Sequence, residues 1–447
     1  MINRVLLERY HCAESLAEFD LNSQLSDDAG FFGFGQNLVC FGSSAEGFRR
    51  DRPGQPLCDI STAVRLRGDR VGLPFDPNEV VENLRLERYA QDHNLNGNQP
   101  LFKKVLRNAY YSLRPLLPVS VRRHLQKAYL RGWADRPFPR WPVDLSVENI
   151  LEHNLKLAMQ TNGQTMIPFI WYWPNGYTAC SLMTHDVETE AGRDFCSTLL
   201  DLNDSVQIKA SFQVVPEKRY QVSEGYLHSI RERGCEVAVQ DLNHDGHLYS
   251  NRGEFLRRAK QIQEYKKQFQ ATGFRSAILY RNLDWLQELG FSYDMSVPNV
   301  AHLDPQSGGC CTVFPYFIGD TLELPVTTTQ DYSLFHIMGK YDLDLWRTQA
   351  ELVLEKHGLL QFIIHPDYII DGKPKDTYRQ LLAYLAHLRD EKNVWMTLPN
   401  EVDRWWRARN QMRLLPRGDS WGIEGPESER ASVAFACLEN GQISYRI

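Results

Sequence analysis

Two acidic residues stand close together in the segment Thr184-His185-Asp186-Val187-Glu188, directly after a strand-like apolar run. In extended chain, residues two apart project from the same face, so the carboxylates of Asp186 and Glu188 would point together. Such a pair can divide its work, with one carboxylate binding a cation while the other accepts a proton from water. The same pair would also suit a solvated acidic loop or the first turn of a helix.

Three histidines follow two further strand-like runs. His244 and His247 flank a turn at Gly246, and His365 is followed at once by Pro366. Imidazole nitrogen suits zinc and similar divalent metals, and an ordinary pKa near neutrality suits a general acid. A His-Asp-Gly-His segment is also compatible with a plain surface turn, and a histidine at a strand end can simply bond to backbone.

The strand-like runs alternate with helical patterns, the clearest of which covers residues 253–269. Repeated β–α units indicate a parallel sheet, and about eight of them indicate a closed or nearly closed (β/α) barrel. The active site of such a barrel forms where strands end and the next loops begin, which would bring the carboxylates and histidines together. The predicted strands are 179–183, 208–215, 236–242, 277–280, 291–295, 322–326, 360–364 and 394–398.

Changes in composition and in hydrophobic pattern along the chain predict three regions. Residues 1–161, whose opening third is rich in Gly and Phe, form an N-terminal α+β extension, and residues 162–410 form the barrel. In the last region, 411–447, Asn440-Gly441 between two strand-like runs is a strong hairpin signal. A lone hairpin is marginal in water, so it should pack on another part of the protein.

Composition limits the partners and the setting. The formal net charge of -6 gives no reason to expect nucleic-acid binding. The nine cysteines are an odd number without a CxxC pair, which predicts mostly buried thiols in a reducing compartment. Residues 1–10 resemble neither a signal peptide nor an anchor, and no run approaches the roughly 20 apolar residues of a membrane span. We therefore expect a soluble cytoplasmic protein, with homo-oligomerisation through an exposed hairpin edge as one option.

The order of these motifs resembles the polysaccharide deacetylase superfamily (the NodB homology domain, carbohydrate esterase family 4). The resemblance covers about residues 178 to 400, and within the superfamily the chain looks like bacterial deacetylase-like proteins encoded with surface-polysaccharide biosynthesis. It implies a distorted (β/α) barrel of the polysaccharide deacetylase type. It also implies a carbohydrate substrate and a divalent metal, zinc by preference.

The resemblance assigns roles to the acidic pair and to the first histidines. It makes Asp186 the general base and Glu188 a metal-binding carboxylate, with the swapped assignment left open and Asp186 counted among the metal-binding residues. The second family motif is His-x-x-x-His; here His244 matches its second histidine, but Gln240 replaces the first. His247 is the candidate substitute ligand.

The remaining motifs complete the implied mechanism. Arg275, in Arg-Ser-Ala where the family has Arg-x-Pro, would orient the base, and His365 would be the general acid that protonates the leaving amine. The family's Asp-x-Ser strand is matched by Asp294-Met295-Ser296, with a structural role. Two aromatic residues near strand ends, Tyr280 and Tyr368, are candidate sugar-binding platforms.

Three functional hypotheses remain open at this point. The first is metal-dependent hydrolysis of an N-acyl group, N-acetyl above all, on a sugar or polysaccharide precursor. The second is a non-catalytic relative that binds carbohydrate or a partner, because Gln240 removes one metal ligand. The third is a C–N hydrolase acting on a small cyclic amide, since one barrel can serve several substrates and fold does not fix function.

Overall fold

The computed structural model describes residues 1–35, 38–46, 53–54, 56–68, 70–90 and 130–447. Its helices are amphipathic, and several begin at a side-chain cap: Thr189, Ser223 and Asn251 each accept a hydrogen bond from a first-turn backbone N–H. The predicted helix at 253–269 is confirmed. The helices are α1 (Arg4–Tyr10), α2 (Pro77–Arg85), α3 (Ser146–Thr161), α4 (Glu190–Asp204), α5 (Glu224–Arg231), α6 (Arg252–Gln268), α7 (Asp344–Glu355), α8 (Gly372–Lys392) and α9 (Pro399–Asn410).

The N-terminal part carries two small sheets. The Gly- and Phe-rich segment forms an antiparallel pair of strands, and a three-stranded sheet has the order β1-β5-β4. The antiparallel pair consists of β2 (Gly30–Gly33) and β3 (Val39–Gly42), and the three-stranded sheet consists of β1 (Phe19–Leu21), β4 (Arg65–Arg67) and β5 (Arg70–Leu73). The described residues of this region mix helix with sheet.

A nine-stranded sheet forms the centre of the molecule. Its order is β12-β13-β11-β10-β9-β8-β7-β14, with β15 also paired to β7, and its pairings are parallel except for β12 with β13. All nine residues of β7 are buried, as expected for a central strand that is covered on both faces. The strands are β7 (Ala179–Val187), β8 (Ala210–Val214), β9 (Glu236–Gln240), β10 (Gly273–Arg275), β11 (Tyr293–Asp294), β12 (Tyr316–Ile318), β13 (Thr321–Glu323), β14 (Leu359–Ile364) and β15 (Val394–Thr397).

The two ends of this sheet meet through side chains. The hydroxyl groups of Thr327 and Thr328, which follow β13, donate to the carbonyl oxygens of Leu359 and Gln361 in β14, each at 2.7 Å. The backbone N–H of Gln361 donates in turn to the Thr327 hydroxyl at 2.9 Å. The curled α/β sheet is thus drawn into a distorted barrel, and the predicted fold class is confirmed.

One predicted strand is wrong. Residues 277–280 do not form a strand; Ala277–Leu279 is a single 3-10 turn in which Ile278 and Leu279 have φ values of 61° and 54°. The strand lies earlier, at β10, and the chain turns away from the sheet directly after Arg275. Ala277 and Leu279 are buried in this loop and Ile278 and Tyr280 are half-buried, an alternation that apolar composition alone cannot distinguish from a strand.

The C-terminal hairpin is confirmed and is incorporated into a sheet. Strands β18 (Val433–Glu439) and β19 (Gln442–Arg446) are joined at Asn440-Gly441, where both residues have positive φ. Strand β18 also pairs with β6 (Met166–Ile170), so the hairpin packs on the segment that leads into the barrel. A second hairpin, β16 (Arg413–Arg417) with β17 (Ser420–Glu424), was not predicted.

The domain boundaries at 161/162 and 410/411 stay a prediction. All nine cysteines are free and eight of them are buried, as predicted. Within the described ranges, no helix combines the length and the apolar character needed to cross a lipid bilayer.

Candidate active site

The side chains singled out from the sequence collect at one edge of the central sheet. Asp186 lies near the end of β7, Gln240 and Arg275 end the neighbouring strands β9 and β10, and His365 follows β14. Glu188 is the first residue after β7. Because parallel strands end on the same side of a sheet, five positions spread over 180 residues of sequence come to face one another.

Asp186 is held by a buried arginine. Nη1 of Arg275 donates to Oδ1 of Asp186 at 2.6 Å and to the hydroxyl of Thr184 at 2.8 Å, while its Nε donates to the carbonyl oxygen of Met295 at 3.0 Å. Arg275 is fully buried and Asp186 nearly so. A buried, charge-assisted bond of this kind fixes the orientation of the carboxylate and leaves Oδ2 directed away from the arginine.

Glu188 lies between two imidazoles. Its Oε1 is 2.6 Å from Nε2 of His244 and 3.4 Å from Nε2 of His365. Burial raises the pKa of Glu188, but the two histidines outweigh it and hold that pKa well below its ordinary value. His244 reaches this position from a backbone with a φ of 55°, an uncommon conformation outside glycine and one that clusters at functional sites.

His365 is fixed by an aspartate that the sequence interpretation missed. Asp331 is fully buried; its Oδ1 is 2.6 Å from Nδ1 of His365, and its Oδ2 accepts from the His365 backbone N–H at 2.7 Å. The bond between Asp331 and Nδ1 orients the other ring nitrogen of His365, Nε2, toward Glu188. Burial lowers the pKa of His365, yet the carboxylates of Asp331 and Glu188 hold it well above its ordinary value. Asp331 comes five residues after the predicted strand 322–326, and that position near a strand end was the signal available.

Gln240 occupies the gap between the two carboxylates. Its Nε2 donates to Oδ2 of Asp186 at 3.2 Å and to Oε1 of Glu188 at 3.1 Å. Its Oε1 is buried and has no hydrogen-bond partner among the described residues. The amide therefore supplies partial positive charge to the carboxylates at the position where the resembling family has a histidine.

Other predicted site residues lie at different places. Tyr368 lies over His365, with ring centroids 4.8 Å apart, and lines the cleft of the site. His247 is exposed, with Nδ1 3.2 Å from the hydroxyl of Ser250, and Tyr280 packs beside Gly246. Neither His247 nor Tyr280 belongs to the described residues that line the cleft.

The donor atoms of the site fit a divalent metal in type and spacing. Ligand atoms of Asp186, Glu188 and His365 all lie within 4.8 Å of one another. Nε2 of His244 is buried and lies 2.6 Å from Oε1 of Glu188, so this imidazole is a further candidate ligand beside them. Carboxylate oxygen and imidazole nitrogen are ligands that zinc and similar ions accept.

Two contacts compete with such an ion. One is the Gln240 amide described above. The other comes from Arg219, an exposed residue whose Nη2 lies 3.1 Å from Nδ1 of His244. A guanidinium can only donate, so in this arrangement Nδ1 accepts and the proton of a neutral imidazole sits on Nε2, the atom that would have to bind the metal.

The site opens into a cleft at this edge of the sheet. Its walls combine polar groups with apolar and aromatic side chains. Besides Glu188, His244 and His365, the cleft is lined by residues that include Asp304, Gln330, Tyr332, Tyr368, Leu303 and Ile337.

Comparisons with known proteins give structural matches only. No family model matches the chain, and none of the curated proteins does. The matching solved structures include a candidate polysaccharide deacetylase from Mycobacterium smegmatis (18% identity, TM-score 0.45, covering 56% of this chain and 98% of the other). They also include PuuE allantoinase (12% identity, TM-score 0.41, covering 53% of this chain and 92% of the other). A third is the peptidoglycan deacetylase PdaC from Bacillus subtilis (13% identity, TM-score 0.34, covering 52% of this chain and 93% of the other). At these values, any conclusion about chemistry depends on the side chains of the site.

Proposed function

We propose that this protein hydrolyses an N-acyl group, N-acetyl in the simplest case, on a sugar or polysaccharide precursor. The observation that carries this proposal is that two oriented groups lie beside Glu188, with ligand atoms of Asp186, Glu188 and His365 all within 4.8 Å of one another. One is a carboxylate fixed by arginine, Asp186 with Arg275, and the other is an imidazole fixed by Asp331, His365. Hydrolysis of an amide needs both a base for water and an acid for the leaving amine.

The proposed reaction uses these two groups in turn. Oδ2 of Asp186 accepts a proton from water while Arg275 holds Oδ1, and the water oxygen bonds to the acyl carbon. When the C–N bond breaks, Nε2 of His365 gives a proton to the leaving nitrogen, and the products are a carboxylic acid and an amine. The proton taken up by Asp186 then returns to His365 through solvent, which restores both groups. A divalent ion held by Glu188 and His244, beside Asp186, would supply Lewis-acid polarisation of the acyl carbonyl.

The setting is part of the same proposal. Nine unpaired thiols suit a reducing compartment, which supports a cytoplasmic protein that meets a precursor of a bacterial surface polysaccharide rather than the finished polymer. Zinc is the ion proposed, because imidazole and carboxylate together form one of its usual ligand sets.

The test is release of acetate from N-acetylated sugars by the purified chain, with a cyclic imide in the same panel. Asp186→Asn and His365→Gln should each lower kcat by about a hundredfold to ten-thousandfold, the range for loss of a general acid or base. Asp284→Asn, a change at an exposed position outside the cleft, is the matched control and should leave the rate unchanged. Full activity in both site variants would exclude the assigned roles.

A second candidate function is favoured by Gln240. Because its amide donates to both carboxylates, the site is partly neutralised without an ion, as a non-catalytic carbohydrate-binding relative would allow. This alternative predicts carbohydrate binding without hydrolysis and no stoichiometric metal. Elemental analysis of the purified protein, together with the acetate assay, separates it from the first.

A further inference from the structure

A second polar group lies in the cleft, apart from the acid and base. Asp304 belongs to the loop that follows β11, and Gln330 directly precedes Asp331. Nε2 of Gln330 donates to Oδ1 of Asp304 at 2.7 Å, and both residues line the cleft with His365 and Glu188. The proposed hydrolysis uses neither of them.

Asp304 is a buried carboxylate that is only half satisfied. It is 7% exposed, and no described residue donates a hydrogen bond to its Oδ2. The nearby guanidinium of Arg281 is engaged elsewhere, because it donates to Glu87 and to the carbonyl oxygen of Leu279. Oδ2 is therefore an open acceptor in the wall of the cleft, and a ligand hydroxyl that donates to it would form a hydrogen bond to a charged group.

Gln330 adds a second acceptor beside the first. Its Nε2 is used by Asp304, which leaves Oε1 without a partner among the described residues. Two acceptors side by side, a carboxylate oxygen and an amide oxygen, match a ligand that presents several hydroxyl donors.

The other residues of the cleft suit a sugar ring better than other ligands that donate hydrogen bonds. The rings of Tyr332 and Tyr368 lie 5.7 Å apart, and Leu303 and Ile337 add apolar surface, so the cleft combines apolar faces with a few polar groups. Burial raises the pKa of Asp304 to about 6, which leaves it mainly ionised at neutral pH. Its carboxylate disfavours a ligand that carries negative charge at this position.

We propose that Asp304 and Gln330 form a hydroxyl-binding subsite that selects a neutral sugar ring and rejects an anionic one. This inference rests on the proposed function, since it names the substrate class of the same cleft. Asp304 is here a specificity-determining residue, which contacts the substrate away from the scissile amide.

The test compares wild type, Asp304→Asn and Gln330→Ala with N,N′-diacetylchitobiose as substrate and 4-nitrophenyl acetate as a probe that lacks sugar hydroxyls. Asparagine keeps the bond from Gln330 but replaces the free acceptor by a donor. We expect KM for the disaccharide to rise about tenfold to a hundredfold in Asp304→Asn, in line with loss of a hydrogen bond to a charged group. The kcat for the disaccharide and turnover of the ester should change less than threefold, and Asp284→Asn should match wild type in both.

Binding measurements separate failure of the subsite from failure of the hydrolysis. Calorimetric titration with the disaccharide, and with an analogue in which the second sugar is a glucuronic acid, should show at least tenfold preference for the neutral probe in wild type. Asp304→Asn should reduce that preference. If wild type binds the neutral disaccharide without cleaving it and Asp304→Asn weakens binding, the subsite stands and the hydrolysis fails. Equal binding by wild type and Asp304→Asn, or no binding by wild type, overturns the subsite.

Discussion

Gln240 is the residue whose identity has the largest consequence for metal binding. Its amide bridges Asp186 and Glu188, and an amide is a weaker ligand for zinc than an imidazole. The affinity of the site for an ion therefore depends strongly on the residue at position 240. Arg219, an exposed residue, is a second competitor of the ion because it contacts the imidazole of His244.

Replacing Gln240 by His should tighten zinc binding about tenfold or more, the scale on which changes around a metal site act. Zinc content after dialysis and competition with a chromophoric chelator measure the effect. Gln221→His, which adds a histidine at an exposed position, controls for non-specific binding. Unchanged tight binding by wild type and variant would show that the site is complete without a histidine at 240.

At the scale of elements, the barrel depends on close contact between strands β10 and β11. Gly273 in β10 lies under the ring of Tyr293 in β11, where a methyl group would overlap the ring atoms. The ring cannot easily move, because the Tyr293 hydroxyl donates to the buried carboxylate of Glu236 in β9. One glycine thus sets the approach of the strand that carries Arg275.

Gly273→Ala should lower the free energy of unfolding by about 1 to 3 kcal/mol, as overpacking of a buried contact does. Urea unfolding followed by tryptophan fluorescence measures it. Gly225→Ala is the matched control: Gly225 is helical, with open space around it, so alanine there should stabilise by roughly 0.5 to 1 kcal/mol. If Gly273→Ala proved neutral, the contact with Tyr293 would not limit packing.

Glu236, in strand β9, makes the folding stability of the protein depend on pH. Burial raises its pKa to about 7, against 4.5 for the ordinary group, although Tyr293 and the backbone N–H of Asn400 oppose the shift. The folded state therefore keeps a proton that the unfolded chain releases. The associated stability is fully present below about pH 4.5 and is lost as pH rises through 7.

Glu236→Gln should remove this loss, which amounts to about 3 kcal/mol at full ionisation. Unfolding free energies measured at pH 5 and pH 8 should fall less with pH in the variant than in wild type. Glu391→Gln, at an exposed position in α8, should leave the wild-type pH dependence intact. A parallel fall in wild type and Glu236→Gln would contradict the assignment.

At the scale of the whole molecule, the N-terminal region and the barrel share buried charges. Glu87 accepts from Nε of Arg281 at 2.6 Å and from the backbone N–H of Gly309, and both charged residues are almost fully buried. Burial lowers the pKa of Arg281, but Glu87 outweighs it and raises that pKa above its ordinary value. Glu87 thus ties residues before 161 to the segment between β10 and β11 through Arg281, and to the loop that carries Asp304 through Gly309.

Glu87→Gln should destabilise the protein by about 3 to 5 kcal/mol, because it leaves the Arg281 charge buried without its counter-charge. The double variant Glu87→Gln/Arg281→Met should recover part of that loss. Thermal or urea unfolding of the set measures both effects. Glu18→Gln, which breaks an exposed pair with Arg70, should cost less than about 1 kcal/mol. Equal effects of the buried and the exposed change would show that the pair does not link the two regions.

Much of the site was predictable from the sequence because strand periodicity and chain order are local properties. Asp186, Glu188, His244 and His365 each follow or end a predicted strand, and parallel strands deliver such positions to one edge. The hairpin at Asn440-Gly441 was predictable for the same reason, since its turn chemistry lies in two adjacent residues. Arg275 was predicted from the family resemblance instead, because the predicted strand 277–280 begins after it.

Only the tertiary structure decided which groups complete the site. Asp331 meets His365 across 34 residues, and Asp304 meets Gln330 across 26, through loops whose paths no local pattern encodes. Two other predictions show the converse. The apolar character of residues 277–280 suited a strand, but the chain turns away from the sheet after β10. His247 suited a metal ligand by residue type, but it lies in an exposed loop. The sequence by itself therefore determined the barrel and the residues at its strand ends. The packing of loops against those ends, a non-local property, determined their partners.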